Sequence, residues 1–134
     1  MTGGFLDANI IVRYLTGVPA DLAAQAARIV DSESPLLLAD LTLAEAAFVL
    51  TRHYNLPRAA VVDSLIALVR KSNVTMWRLE KDVVIQALQY CRPSGRVSFA
   101  DALLWAVARS SEDALVYSFD KRFPKNGIDV RAEP

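Results

Sequence analysis

The chain has 134 residues, enough for one domain with its own core, since a chain of about 150 residues buries roughly 68–70% of its unfolded surface. Lys plus Arg and Asp plus Glu number 15 each, a formal net charge of zero, so the whole molecule shows no basic footprint and nucleic-acid binding has to be argued locally. Cys91 is the only cysteine, which excludes an intrachain disulfide and a cysteine-built zinc site.

Met1-Thr2-Gly3-Gly4 runs straight into a strand candidate, which predicts no signal peptide. Gly4-Phe5-Leu6 is that strand, and it ends at Asp7. Asn9 is placed to cap a helix through Ile10, Ile11, Val12, Tyr14 and Leu15, which Gly17 stops. Pro19 opens a second, Ala-rich helix from Ala20 to about Ile29, and Ser34-Pro35 breaks the pattern. Leu36-Leu37-Leu38-Ala39 is a continuous apolar run, the mark of a strand covered on both faces. Thr42 is placed to cap the next helix, Leu43 to Tyr54, apolar on every side except Glu45 and the last turn, Arg52-His53-Tyr54. Asn55-Leu56-Pro57 is a turn, and Pro57 opens a fourth helix through Leu65, Leu68 and Val69.

Val74-Thr75-Met76-Trp77 is a third strand. A fifth helix from Glu80 to Tyr90 carries Val83, Val84, Ala87, Leu88 and Cys91 on its apolar stripe. Arg92-Pro93-Ser94-Gly95-Arg96 is a loop. The stretch Val97 to Val107 is apolar nearly all the way round, which predicts a central, buried helix. Ala114 to Ser118 is a fourth strand, and Asp129-Val130-Arg131 a short last one. The chain shows no repeat, no low-complexity tract and no internal linker. No apolar run reaches the length of a membrane span, because Glu45 and Asp101 interrupt the best candidates. The expectation is a single domain over residues 1–134, cytoplasmic and without a membrane partner.

Strands alternating with helices imply an α/β fold with a mostly parallel sheet and helices on both faces. Such sheets bind ligands at the carboxyl ends of their strands. Asp7 and Asp120 follow strand ends, and Glu45 lies in the first turn of the helix leaving the second strand. Asp101 opens the apolar helix; Ser98 and Asp101 also fit the capping-box spacing, which explains the acid structurally. Asp40 and Glu80 follow strands too, but the first precedes the Thr42 cap and the second sits among Lys81 and Asp82. A carboxylate in apolar surroundings is costly unless it is paired or metal-bound. Acids gathered with no His or Cys nearby offer oxygen ligands only, which suit Mg²⁺ or Mn²⁺. Two such ions about 3.5–4 Å apart activate water on one side of a phosphodiester and stabilise the leaving oxygen on the other.

Four stretches carry a family resemblance. They are Phe5-Leu6-Asp7-Ala8-Asn9-Ile10-Ile11-Val12-Arg13-Tyr14-Leu15, Leu43-Ala44-Glu45-Ala46-Ala47-Phe48-Val49-Leu50, Phe99-Ala100-Asp101-Ala102-Leu103, and Ser118-Phe119-Asp120-Lys121-Arg122-Phe123. Each is weak alone, but together, in this order and across nearly the whole chain, they resemble a PIN-domain protein of the VapC-type toxin class. The resemblance implies a three-layer α/β/α sandwich with a mostly parallel central sheet of four or five strands. It implies a Mg²⁺- or Mn²⁺-dependent endoribonuclease with one or two ions per site. Asp7, Glu45, Asp101 and Asp120 would form the acidic catalytic and metal-binding set, with Asp7 and Asp101 the principal ligands. Relatives often carry a further acid just after the last motif aspartate, where Lys121 and Arg122 stand here. Asn9, Arg13, Ser118 and Lys121 are the candidate substrate-binding residues. The implied partners are RNA, a cognate antitoxin and a second copy of the chain, as a homodimer that can grow into a heterotetramer or larger assembly with the antitoxin.

Other readings stand beside this one. Asn9 serves equally as a plain helix cap, and Asp120 as a turn residue. Arg13, Arg92, Arg96, Lys121, Arg122 and Lys125 could rim an RNA site, although charges at helix ends and in loops are usually just solvated. His53 is better read as a favourable charge at a helix C-terminus than as a catalyst. Trp77 and Trp105 read first as core. A non-toxin PIN-like RNA-processing nuclease, an aspartyl-phosphate phosphotransferase using Asp7, and a non-catalytic interaction module are the competing functions. Apolar residues make up 53% of the chain and mean hydropathy is +0.24, an excess that predicts an interface. The helical pair from Thr42 to Val69, with Phe48, Leu50, Leu56 and Val61, is the expected seat of an antitoxin segment.

Overall fold

The computed structural model of the chain describes residues 3–134. Met1 and Thr2, read above as leading straight into a strand, lie outside the described residues. The elements follow in the order β1 (Gly4–Phe5), α1 (Ala8–Thr16), α2 (Ala20–Val30), β2 (Leu36–Leu38), α3 (Asp40–Arg52), α4 (Arg58–Val69), β3 (Val74–Met76), α5 (Lys81–Cys91), α6 (Phe99–Arg109), β4 (Leu115–Tyr117) and β5 (Asp129–Arg131). A pair of helices follows each of the first three strands, β5 follows β4 with no helix between, and every ladder is parallel.

β1 pairs with β2 through Gly4↔Leu36 and Phe5↔Leu37. β2 pairs with β3 from Leu36↔Val74 to Leu38↔Met76. β4 pairs with β5 from Leu115↔Asp129 to Tyr117↔Arg131. The strands therefore fall into a three-stranded sheet, β1-β2-β3, and a separate two-stranded one, not one sheet of four or five. The reason is local: β1 is only two residues long and begins at a glycine, so it offers little edge for a further ladder.

Alternation along the strands sorts the side chains. Leu36 and Leu38, with Val74 and Met76, join the main core. Leu37 is buried on the opposite side of β2, where Phe5 and Trp77 stay exposed. The core draws Ile11 from α1, Val30 from α2, Leu43 from α3, Leu65 from α4, Leu88 from α5, Trp105 from α6 and Val116 from β4. Each such side chain contributes about 1.5–3 kcal/mol by leaving water. Among the described residues no helix is long and apolar enough to cross a membrane.

Helix ends follow the caps, with corrections. Gly17 closes α1 in the left-handed conformation, φ +72°, as expected for a residue without Cβ. Asn9 is not the cap of α1: the helix already begins at Ala8, and Asp7 caps it. Thr42 is not the cap of α3 either: that helix begins at Asp40, and Thr42 is buried inside it. Ser98 does cap α6, and its hydroxyl accepts from the Asp101 amide at 3.0 Å. α6 is not buried all round, because Ala100, Leu104 and Val107 form an exposed stripe at helical spacing.

Candidate functional site

The end of β1 carries Asp7 into extended backbone, φ −89° and ψ 156°, as the cap of α1. Its Oδ1 accepts from the Ala8 amide at 2.8 Å. That bond satisfies one of the free amides of the helix start. It also fixes where the side chain stands. Asp7 remains exposed and keeps Oδ2 without a protein hydrogen bond among the described residues.

Glu45 comes to the same place from α3. Its burial pattern differs from the sequence expectation: Leu41, Glu45, Phe48 and Arg52 are all exposed and share the outward stripe of α3. Glu45 is therefore a solvated acid and not one buried among apolar neighbours. Asp7 and Glu45 line one pocket of about 180 Å³ together with Asn9, Arg13, Val49 and Tyr54. The space holds several waters. Arg13 is held in its wall, because its Nη1 donates to the Tyr54 hydroxyl at 3.1 Å and to the Val18 carbonyl at 3.2 Å. Tyr54 and Val49 were not among the candidates from sequence. In the sequence Tyr54 is only part of a helix end, and no spacing rule links it to Arg13.

Asp101 and Asp120 do not line that pocket. Asp101 is half-buried in the first turn of α6. Its charge acts on the buried Cys91, as does that of Arg58. Burial pushes the Cys91 thiol up to about 11; Arg58 pulls it the other way, and the charge of Asp101 adds to the rise. Cys91 is thus a protonated, buried thiol and no nucleophile. Asp120 is engaged in its own turn. Its amide donates to the Ser118 hydroxyl at 3.0 Å, and its Oδ1 accepts from the Arg122 amide at 2.8 Å. The Arg122 Nε lies 3.7 Å from the same oxygen, a surface pair of little net worth. Ser118 therefore serves that turn, while Lys121 is exposed and unbonded among the described residues.

The structure brings Asp7 and Glu45 together and leaves Asp101 and Asp120 outside their pocket. Among the described residues no three His, Cys, Asp or Glu side chains are grouped closely enough to hold a metal ion. The pocket's donors are two carboxylates and an amide, all hard oxygen ligands. Such a set fits a single Mg²⁺ or Mn²⁺ that keeps most of its waters, and it does not fit a closed protein cage. Arg13 adds a cation in the same wall, suited to a phosphate.

No curated protein matches the chain significantly. The family model of the PIN domain matches residues 4–128, a span from β1 to the edge of β5 that takes in Asp7, Glu45, Asp101 and Asp120. The chain belongs to the PIN domain family.

Proposed function

We propose that the protein is a metal-dependent endoribonuclease that hydrolyses RNA phosphodiesters, and that it acts as a VapC-type toxin restrained by a cognate antitoxin in the cytoplasm. The PIN fold is of nuclease type. The observation that carries the reading is the pairing of Asp7 and Glu45 in one oxygen-lined pocket with Arg13 in its wall. Asp7 and Glu45 would hold a Mg²⁺ or Mn²⁺, with Asp101 and Asp120 completing the acidic set around bound RNA. The chemistry a bound ion supplies is neutralisation of phosphate charge and activation of water.

The chain's own residues have distinct tasks in this account. Asp7 is pre-positioned by its cap bond to Ala8, so little ordering cost is left for catalysis. Arg13, braced by Tyr54, orients the scissile phosphate. Glu45, exposed at the pocket, would take the proton from the attacking water as its oxygen bonds to phosphorus, while the P–O bond to the ester oxygen breaks and that oxygen takes a proton from solvent.

Phe48 on α3 and Leu56 in the turn before α4 are exposed and support an antitoxin seat there, whereas Leu50 and Val61 are buried and take no part. An antitoxin Arg or Lys entering the pocket would compete with the metal; unchanged antitoxin affinity in Asp7→Asn would exclude that route. The apolar exposed surface also suits a homodimer and larger antitoxin assemblies.

Cleavage of a mixed, structured RNA pool by antitoxin-free protein tests the function. The account predicts cuts with Mg²⁺ or Mn²⁺ that disappear with chelator and in Asp7→Asn and Asp101→Asn. A protein that neither cuts nor binds Mn²⁺ contradicts it.

A further inference from the structure

We infer that Phe5, Trp77 and Arg78 form a stacking platform for single-stranded RNA beside the Asp7 pocket. The inference rests on the ribonuclease reading and adds where bases and backbone dock. Phe5 and Trp77 are 56% and 42% exposed. They nevertheless meet edge to face, with centroids 5.3 Å apart and planes at 71°. Each ring steadies the other and leaves aromatic surface open to solvent. The Arg78 guanidinium carbon lies 5.0 Å from the Trp77 centroid. Arg78 has a left-handed backbone, φ +61°, uncommon for a long side chain and kept only where the surroundings enforce it. The turn it makes directly after β3 sets the cation over the neighbouring ring. Arg78 has no ion pair among the described residues, so its guanidinium is available to a phosphate, with Asp40 lining the same cleft.

Phe5 ties the platform to the chain segment that carries Asp7. Phe5 is two residues before Asp7, and the intervening Leu6 is buried. Extended alternation therefore sets Phe5 and Asp7 on the same side. On the far side, Trp77 and Arg78 border a cleft shared with Asp40, Leu79, Val107 and Ser110. Open rings next to an unpaired cation match the two recurring parts of a single strand, its base faces and its phosphates. A purely apolar partner surface would leave Arg78 desolvated and unpaired on docking, which is costly.

The fluorescence of Trp77 tests this directly. Trp105 is 0% exposed, with its Nε1–H donated to the Asn126 carbonyl at 2.9 Å, so it gives a constant buried background. A mixed-sequence oligoribonucleotide would be titrated into Asp7→Asn in Mg²⁺, a variant that keeps a good helix cap. The expected result is saturable quenching of the exposed tryptophan. In the same background Trp77→Ala should bind roughly tenfold or more weakly, the size of one lost base stack. Arg78→Ala should lower the salt slope by about one. An unchanged Trp105 emission certifies that both variants are folded. RNA binding with no Trp77 response, or equal affinity in Trp77→Ala and Arg78→Ala, overturns the platform. So does a Trp77 shift that follows protein concentration without RNA, because the patch then covers a second copy. Failure to bind RNA overturns it as well. Cleavage by the wild type decides separately whether the nuclease reading survives.

Discussion

Arg58 sits over Phe99, its guanidinium carbon 4.3 Å from the ring centroid. Its Nη2 donates to the Val97 carbonyl at 2.7 Å, and its Nε donates to the Cys91 carbonyl. One side chain at the start of α4 thus ties both ends of the loop between α5 and α6, just ahead of Asp101. Charge-assisted bonds of this kind contribute about 1.5–3 kcal/mol each, and the stacking adds about 0.5–2. Because Arg58 is only partly buried, solvent discounts that sum, and Arg58→Ala should destabilise the fold by about 2–4 kcal/mol in chemical denaturation. Arg58→Lys should recover only part of it, because an ammonium cannot reach both carbonyls with one planar fork.

Asp7 has two roles that substitution separates. Asp7→Ala removes the cap and should cost about 1 kcal/mol, whereas Asp7→Asn keeps an N-cap side chain and should be near neutral for stability. Both should abolish RNA cleavage. Thermal melts beside activity assays check the pair. If Asp7→Asn cut RNA as the wild type does, Asp7 would be a cap and nothing more.

Stability should respond to pH at both extremes. The Cys91 thiol is raised from 9.0 to about 11, chiefly by burial. A raised acid pKa means that the folded state keeps its proton while the unfolded chain loses it, so stability should fall as pH rises from about 9 through 11. Cys91→Ala should flatten that limb, and the native thiol should resist alkylation at pH 8 and react on unfolding. At the acid end, the Tyr14 hydroxyl donates to Asp31 at 2.6 Å and holds that carboxyl below its ordinary 3.8, with Lys71 assisting. That contribution is present above 3.8 and lost as pH falls. Tyr14→Phe should weaken the acid dependence, read from denaturation midpoints.

Trp105 anchors the core from α6. It is fully buried, and Tyr90 meets it edge to face at 5.0 Å. Trp105→Ala should cost about 3–5 kcal/mol, whereas Leu104→Ala on the exposed stripe of the same helix should cost far less. Urea denaturation of both variants measures the difference.

Much of the element order was legible, because apolar periodicity and breakers act locally. Gly17 and Ser98 cap where their chemistry predicts. The misplaced starts share one cause. Asp7 and Asn9 are rival caps two residues apart, and α3 starts after Ala39, which offers no capping side chain at all, so in both cases residue type alone does not locate the start. The split into two sheets depends on pairing across the fold, which a one-dimensional pattern does not encode. Trp77 read as core because it ends an apolar strand, yet its exposure depends on what covers that side of the sheet. The strand-end rule pointed to Asp7 and Glu45, which share a pocket. It also pointed to Asp120, whose carboxylate is engaged with Arg122. The Arg13–Tyr54 contact joins residues 41 positions apart and had no signal in spacing.

The most direct test of the central claim is the initial rate of cleavage of one RNA substrate across a Mn²⁺ titration. Wild type, Asp7→Asn, Glu45→Gln and Asp120→Asn would be compared. The account predicts saturable Mn²⁺ dependence in the wild type and loss of at least about a hundredfold in Asp7→Asn and Glu45→Gln, the scale of removing a group that acts in the transition state. A milder loss is expected in Asp120→Asn, whose carboxylate is already tied to its own turn. Cleavage independent of Mn²⁺, or equally fast in Asp7→Asn and Glu45→Gln, would contradict the assignment of this pocket as the active site.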